Sequence, residues 1–219
     1  MGTLIAQTPA VTIRQRAVSS MDNNVYVLTS RVSGQQILVD AADDVAAIKT
    51  MIAESGHDAP VPCVALIVST HRHADHVRAL AALAEATHAR TVAGADDAAA
   101  ITRQTGVTMD ELVSHGDAVG VAGLRLDVVG LRGHTPGSIA LAYVEPGQPV
   151  WLFTGDSLFP GGVGNTDGDP SRFAQLLGDV TTRIFDVYGD DTVVLPGHGR
   201  ATTLGAERPH LGEWQARGW

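Results

Sequence analysis

The chain has 219 residues, of which 44% are hydrophobic and 18% charged, and its formal net charge is −9. Such a length and composition suit one globular domain over residues 1–219, with no apolar run long enough to span a bilayer. The acidic charge disfavours a phosphate backbone as partner, so the expected partner is a small molecule, with neither nucleic acid nor membrane. Met1 to Ala10 show no basic start followed by an apolar stretch, which makes the cytoplasm the expected location.

Residues 11–18, 24–31 and 35–40 read as β-strands. They are rich in β-branched and alternating apolar residues, and turn-formers such as Asp22-Asn23-Asn24 and Ser33-Gly34 separate them. Residues 43–54 carry apolar side chains at helical spacing (Val45, Ile48, Ile52) and stop at Gly56. The lone cysteine, Cys63, opens the run Cys63-Val64-Ala65-Leu66-Ile67-Val68. It cannot form an internal disulfide and is expected to be a small buried hydrophobe in a strand over 64–69. A polar turn over 70–75 precedes a helix over 77–87. A short strand (91–93), a helix (96–105) and two strands between 118 and 131 follow. Residues 138–144 and 150–154 read as a hairpin pair around Glu145-Pro146-Gly147-Gln148. A long amphipathic helix over 170–188, a strand over 192–195 and a last helix over 206–216 complete the chain. Many strands with interspersed helices predict two packed sheets with helices outside.

Chemistry concentrates in Thr70-His71-Arg72-His73-Ala74-Asp75-His76, directly after an apolar strand. Neutral imidazole and carboxylate are the usual ligands of zinc and similar metals. His71 and His73 lie two apart, so an extended turn points them the same way. Asp75 and His76 then start the next helix and can face a second position beside the first. Three further fragments each place one potential ligand in a glycine-rich turn: Gly133-His134-Thr135-Pro136-Gly137-Ser138, Thr154-Gly155-Asp156-Ser157 and Pro196-Gly197-His198-Gly199. Glycine lets the backbone approach closely there.

Together these motifs resemble the metallo-β-lactamase superfamily, and within it the glyoxalase II-like branch, over about residues 23–208. The resemblance implies an α+β architecture, an αβ/βα four-layer sandwich with the metals at the sheet edges. It implies two divalent metal ions, zinc first, with iron or manganese as alternatives. His71, His73 and His134 would hold one, Asp75, His76 and His198 the other, and Asp156 would bridge them. Asp75 would also orient the nucleophile. The implied enzyme is a dinuclear hydrolase acting on a thioester, as a hydroxyacylglutathione hydrolase does, or on a related acyl or lactone substrate.

Two departures bear on substrate. Asn165 stands where relatives often carry arginine. Full-length glyoxalase II continues into a glutathione-binding helical domain, whereas only Pro209–Trp219 follow here, so the thiol need not be glutathione. That tail, with Leu211, Trp214 and Trp219, is expected to pack as a C-terminal helix. The other class considered is a mononuclear iron oxygenase of the persulfide dioxygenase type, with His71, His134 and Asp156 as ligands. A β-lactamase proper is disfavoured by the bridging Asp156, and a nuclease by the acidic charge. His57, His88, His115 and His210 are expected at the surface.

Overall fold

The computed structural model describes residues 2–218. In chain order the first sheet comprises β1 (Thr3–Gln7), β2 (Val11–Val18), β3 (Asn23–Ser30), β4 (Gln35–Val39), β5 (Cys63–Ser69), β6 (Arg90–Gly94) and β7 (Glu111–Val113), each paired with the next. The strands are antiparallel up to β4 and parallel from β4 to β7. Parallel neighbours need crossovers, supplied by α1 (Val45–Glu54), α2 (Leu80–Thr87) and α3 (Ala95–Thr105).

The second half begins with β8 (Ala118–Val121), β9 (Leu124–Gly130), β10 (Ile139–Tyr143) and β11 (Trp151–Gly155). A small ribbon of β12 (Leu158–Phe159) and β13 (Gly162–Val163) leads to α4 (Pro170–Val180), which Asp169 caps by accepting from the backbone N–H groups of Ser171 and Arg172. Then come β14 (Val193–Pro196), β15 (Thr202–Thr203), α5 (Leu204–Glu207) and α6 (Leu211–Arg217). The second sheet runs β15-β14-β11-β10-β9-β8, and β10–β11 form the expected hairpin.

Three apolar clusters stack through the molecule. Ile13, Leu28, Val68, Leu126 and Phe153 fill the space between the sheets. Ile48, Met51, Leu80, Leu83 and Ile101 bind α1–α3 to the outer face of the first sheet. Leu152, Phe173, Leu176 and Trp214 bind α4–α6 to the outer face of the second. This is the four-layer αβ/βα sandwich. All eight residues of β3 are buried because both faces of a middle strand are covered.

Several details differ from the sequence reading. Asn23 and Asn24 lie buried inside β3, not in a turn. Cys63 is exposed, because it is the first residue of β5 and sits at the strand's solvent end. The helix after the histidine motif starts only at Leu80, and Asp75 and His76 occupy a separate 3-10 turn, Ala74–His76. The helix over 170–188 ends regularly at Val180 and continues as one wide turn, in which the Asp186 N–H donates to the Thr181 carbonyl. Pro209 has no N–H to donate, so the terminal helix is divided into α5, a 3-10 turn and α6. Trp214 packs edge-on to Phe185 as the tail reading requires, while Trp219 lies outside the described residues. β1 and β7 had no counterpart in the sequence reading. Among the described residues no helix is long and apolar enough to cross a membrane.

Candidate metal centre

All seven residues singled out from the sequence converge at one edge of the sandwich. The turn after β5 carries His71, His73, Asp75 and His76. The loop from β9 to β10 carries His134. Asp156 follows β11 and His198 follows β14; these strands are parallel neighbours, so their C-terminal ends lie side by side.

The side chains form two triads. In the first, one ligand atom each from His71, His73 and His134 lie within 4.8 Å of one another, with His71 Nε2 3.2 Å from His73 Nδ1. In the second, His76 Nε2 is 3.1 Å from His198 Nε2, and Asp75 Oδ2 is 3.5 and 3.3 Å from these two nitrogens. Asp156 lies between the triads. Its Oδ2 is 3.7 Å from His134 Nε2 and 3.4 Å from His198 Nε2, and its Oδ1 is 3.4 Å from His76 Nε2.

The outward atoms fix how each imidazole is presented. Nδ1 of His76 faces Asp40 Oδ2 at 2.9 Å, that of His134 the Asn165 carbonyl at 2.7 Å, and that of His198 the Met21 carbonyl at 2.8 Å. These partners only accept, so each Nδ1 carries a proton and each Nε2 faces inward, where it offers a lone pair once the ring is neutral. His71 follows suit. The Thr70 hydroxyl donates to Asp40 at 2.8 Å and so accepts from His71 Nδ1 at 3.1 Å. His73, the most open of its triad, presents Nδ1 instead. Buried lone-pair atoms without hydrogen-bond partners include His134 Nε2 and Asp156 Oδ1. Such atoms are costly unless paired, and a cation between the triads would pair both. The donor set therefore fits divalent metal ions.

The electrostatics agree. Burial, with His76 beside it, keeps the His71 imidazole well below its usual pKa, and burial with His134 lowers that of His73. Burial opposes a charge on His76, but Asp156 and Asp40 outweigh it and hold the group up to about 10. Burial likewise opposes ionisation of Asp156, and the His198 and His76 contacts outweigh it, leaving the carboxyl far below its usual range. Asp156 raises His198 in turn. Three carboxylates, Asp40, Asp75 and Asp156, thus gather around His76 and favour positive charge at this edge.

Several supporting residues carry no mark in the sequence. Asp97, at the start of α3 and 0% exposed, accepts from the backbone N–H of Arg72 (3.0 Å), from the Thr135 hydroxyl (2.5 Å) and from the Gly137 N–H (3.0 Å). One carboxylate thereby ties together the loops of His71–His73 and His134. Arg172 of α4 donates to the Gly133 and His134 carbonyls at 2.8 and 2.6 Å. Asn24 and Tyr26 both donate to the Pro196 carbonyl, fixing the entry to the His198 turn. A Cβ on Gly197 would collide with Asp156 Oδ1 and His76 Cε1, so any larger residue there must displace these two side chains. His57, His88, His115 and His210 are exposed and outside the centre, as expected. Asn165, noted for its side chain, contributes its backbone carbonyl.

Comparison with known proteins agrees with this geometry. A profile described as the metallo-beta-lactamase superfamily matches residues 21–204. The hydroxyacylglutathione hydrolase of Cereibacter sphaeroides is 31% identical over 198 residues, covering 87% of this chain and 70% of that protein. The crystal structure of ETHE1 from Myxococcus xanthus superposes with a TM-score of 0.77 at 29% identity, covering 93% of this chain and 84% of that one. Another protein, TTHA1623, was solved in a di-iron-bound form and matches with a TM-score of 0.68 at 27% identity, covering 89% and 96% of the two chains. By motif, fold and profile, the chain belongs to the metallo-β-lactamase superfamily of metal-dependent enzymes.

Proposed function

We propose that the chain is a dinuclear metal-dependent hydrolase acting on a thioester or a related acyl or lactone substrate. The observation that carries this reading is the pair of triads joined by Asp156, with their ligand atoms turned towards one another. His71, His73 and His134 would hold one ion, Asp75, His76 and His198 the second, and Asp156 would touch both. Zinc suits this donor set best, with iron or manganese as alternatives. Divalent ions in such a pair supply an acidified water as nucleophile and an electrophile for the substrate carbonyl oxygen.

The chain's own part is placement. Burial opposes ionisation of Asp75, but the Asn23 amide and His76 outweigh it and hold the carboxylate below its usual pKa. Asp75 therefore stays ionised, and as an acceptor-only group it would orient the attacking water by taking a hydrogen bond from it. No serine or cysteine nucleophile is needed, and Cys63 lies at the opposite end of β5. Similarity to hydroxyacylglutathione hydrolase supports a thioester as the substrate class. The other reading, a mononuclear iron oxygenase using His71, His134 and Asp156, leaves Asp75, His76 and His198 without a role.

The test is elemental analysis of the purified protein, followed by a thioester and lactone panel. About two divalent ions per chain are expected. Asp156→Ala should lower metal content and abolish turnover of whichever ester is cleaved. One iron per chain with oxygen uptake, or near-normal turnover in Asp156→Ala, would overturn the proposal.

A further inference from the structure

We propose that Asn23 is a positioning residue that sets the Asp75 carboxylate for the second triad, and that Ser19 sets Asn23. Asn23 opens β3 and is 0% exposed. Its Nδ2 donates to Asp75 Oδ2 at 2.9 Å and lies 3.4 Å from His198 Nε2 and 3.5 Å from His76 Nε2. One amide thus touches all three members of this triad and none of the first. Its orientation is determined. The Ser19 hydroxyl donates to Asn23 Oδ1 at 2.6 Å, and a carboxylate can only accept, so Nδ2 must face Asp75. The flipped amide would set oxygen against oxygen.

The backbone reinforces this placement. Asn23 forms an antiparallel bridge with His198, and the Asn24 N–H donates to the Gly197 carbonyl at 2.7 Å. Ser19 itself holds a φ of 65°, a conformation uncommon for a residue with a side chain, in the turn between β2 and β3. Outer partners of this kind decide whether a ligand is preorganised or must be ordered as the ion arrives. The inference rests on the dinuclear reading.

The experiment is competition with a chromophoric chelator on the zinc-loaded wild type, Asn23→Ala and Ser19→Ala, resolving the release of each ion. Thermal unfolding of the stripped proteins is read alongside. In Asn23→Ala one of two ions should weaken by about 10- to 100-fold while the other stays within about twofold. Ser19→Ala, which leaves the buried amide in place, should weaken the same ion by a smaller factor. Two unchanged ions in both variants would overturn the inference and leave the dinuclear reading intact. Equal weakening of both ions, with a matching fall in the stripped protein's melting temperature, would show a merely structural role and also overturn it. A wild type that releases only one ion would overturn the dinuclear reading, and this inference with it.

Discussion

Replacing Asp97 by alanine tests how the centre is held together. The carboxylate accepts two backbone N–H groups and one hydroxyl, from Arg72, Gly137 and Thr135, and lies 3.7 Å from the Arg72 guanidinium. Alanine leaves two N–H groups without an acceptor. At about 1–3 kcal/mol for each buried unsatisfied group, the loss is about 2–6 kcal/mol. Asp97 also contributes about 0.3–1 kcal/mol as an acidic residue at the α3 N-terminus. Against a total stability of about 5–15 kcal/mol that is a large fraction. Urea unfolding of the stripped protein should show a lower midpoint with an unchanged m-value. Asp97→Asn keeps the shape and one acceptor oxygen, so it should lose less. Because Arg72 separates His71 from His73, and Thr135 follows His134, both variants should also bind metal about 10- to 100-fold more weakly. Unfolding within about 0.5 kcal/mol of wild type, the range of an ordinary surface change, would refute the argument.

Gly197→Ala should fold, losing about 1–3 kcal/mol to overpacking. Its Cβ pushes on Asp156 and His76, so turnover should fall by about 100-fold, and wild-type kinetics would contradict the packing described. His76 is held up to about 10, so its proton stabilises the stripped fold fully below about 6.5 and that contribution is lost as pH rises through about 10. Near pH 8 an incoming ion must displace this proton. Calorimetric titrations in buffers of different ionisation enthalpy should therefore show proton release, and a buffer-independent heat would refute it. His115→Ala changes an exposed residue outside the centre, and turnover should stay within about twofold of wild type.

The metal-binding pattern was legible because it is local. His71, His73, Asp75 and His76 fall within one turn, and the remaining candidate ligands each sit in a glycine turn after an apolar strand. The two-sheet layering was legible from strand density alone. Asn23, Asp40 and Asp97 were not, because their partners are 52, 36 and up to 40 residues away and their own neighbourhoods look ordinary. Asp22-Asn23-Asn24 has the composition of a turn, yet the last two residues are strand positions whose amides are used inward. Asp97 reads as a helix-start acid, which it is, and nothing in Asp96-Asp97 marks the second residue as buried. Cys63 departs from the burial its sequence suggests because an apolar run shows where a strand lies but not which of its ends meets solvent.

The four residues of the β5 turn belong to the first sheet, while His134, Asp156 and His198 belong to the second. An ion gripped by this set is a rivet through both leaves of the sandwich. Sliding one leaf over the other would then break coordination bonds as well as disturb the oily middle layer, so the stiffness of the scaffold and the accuracy of the site become a single mechanical property.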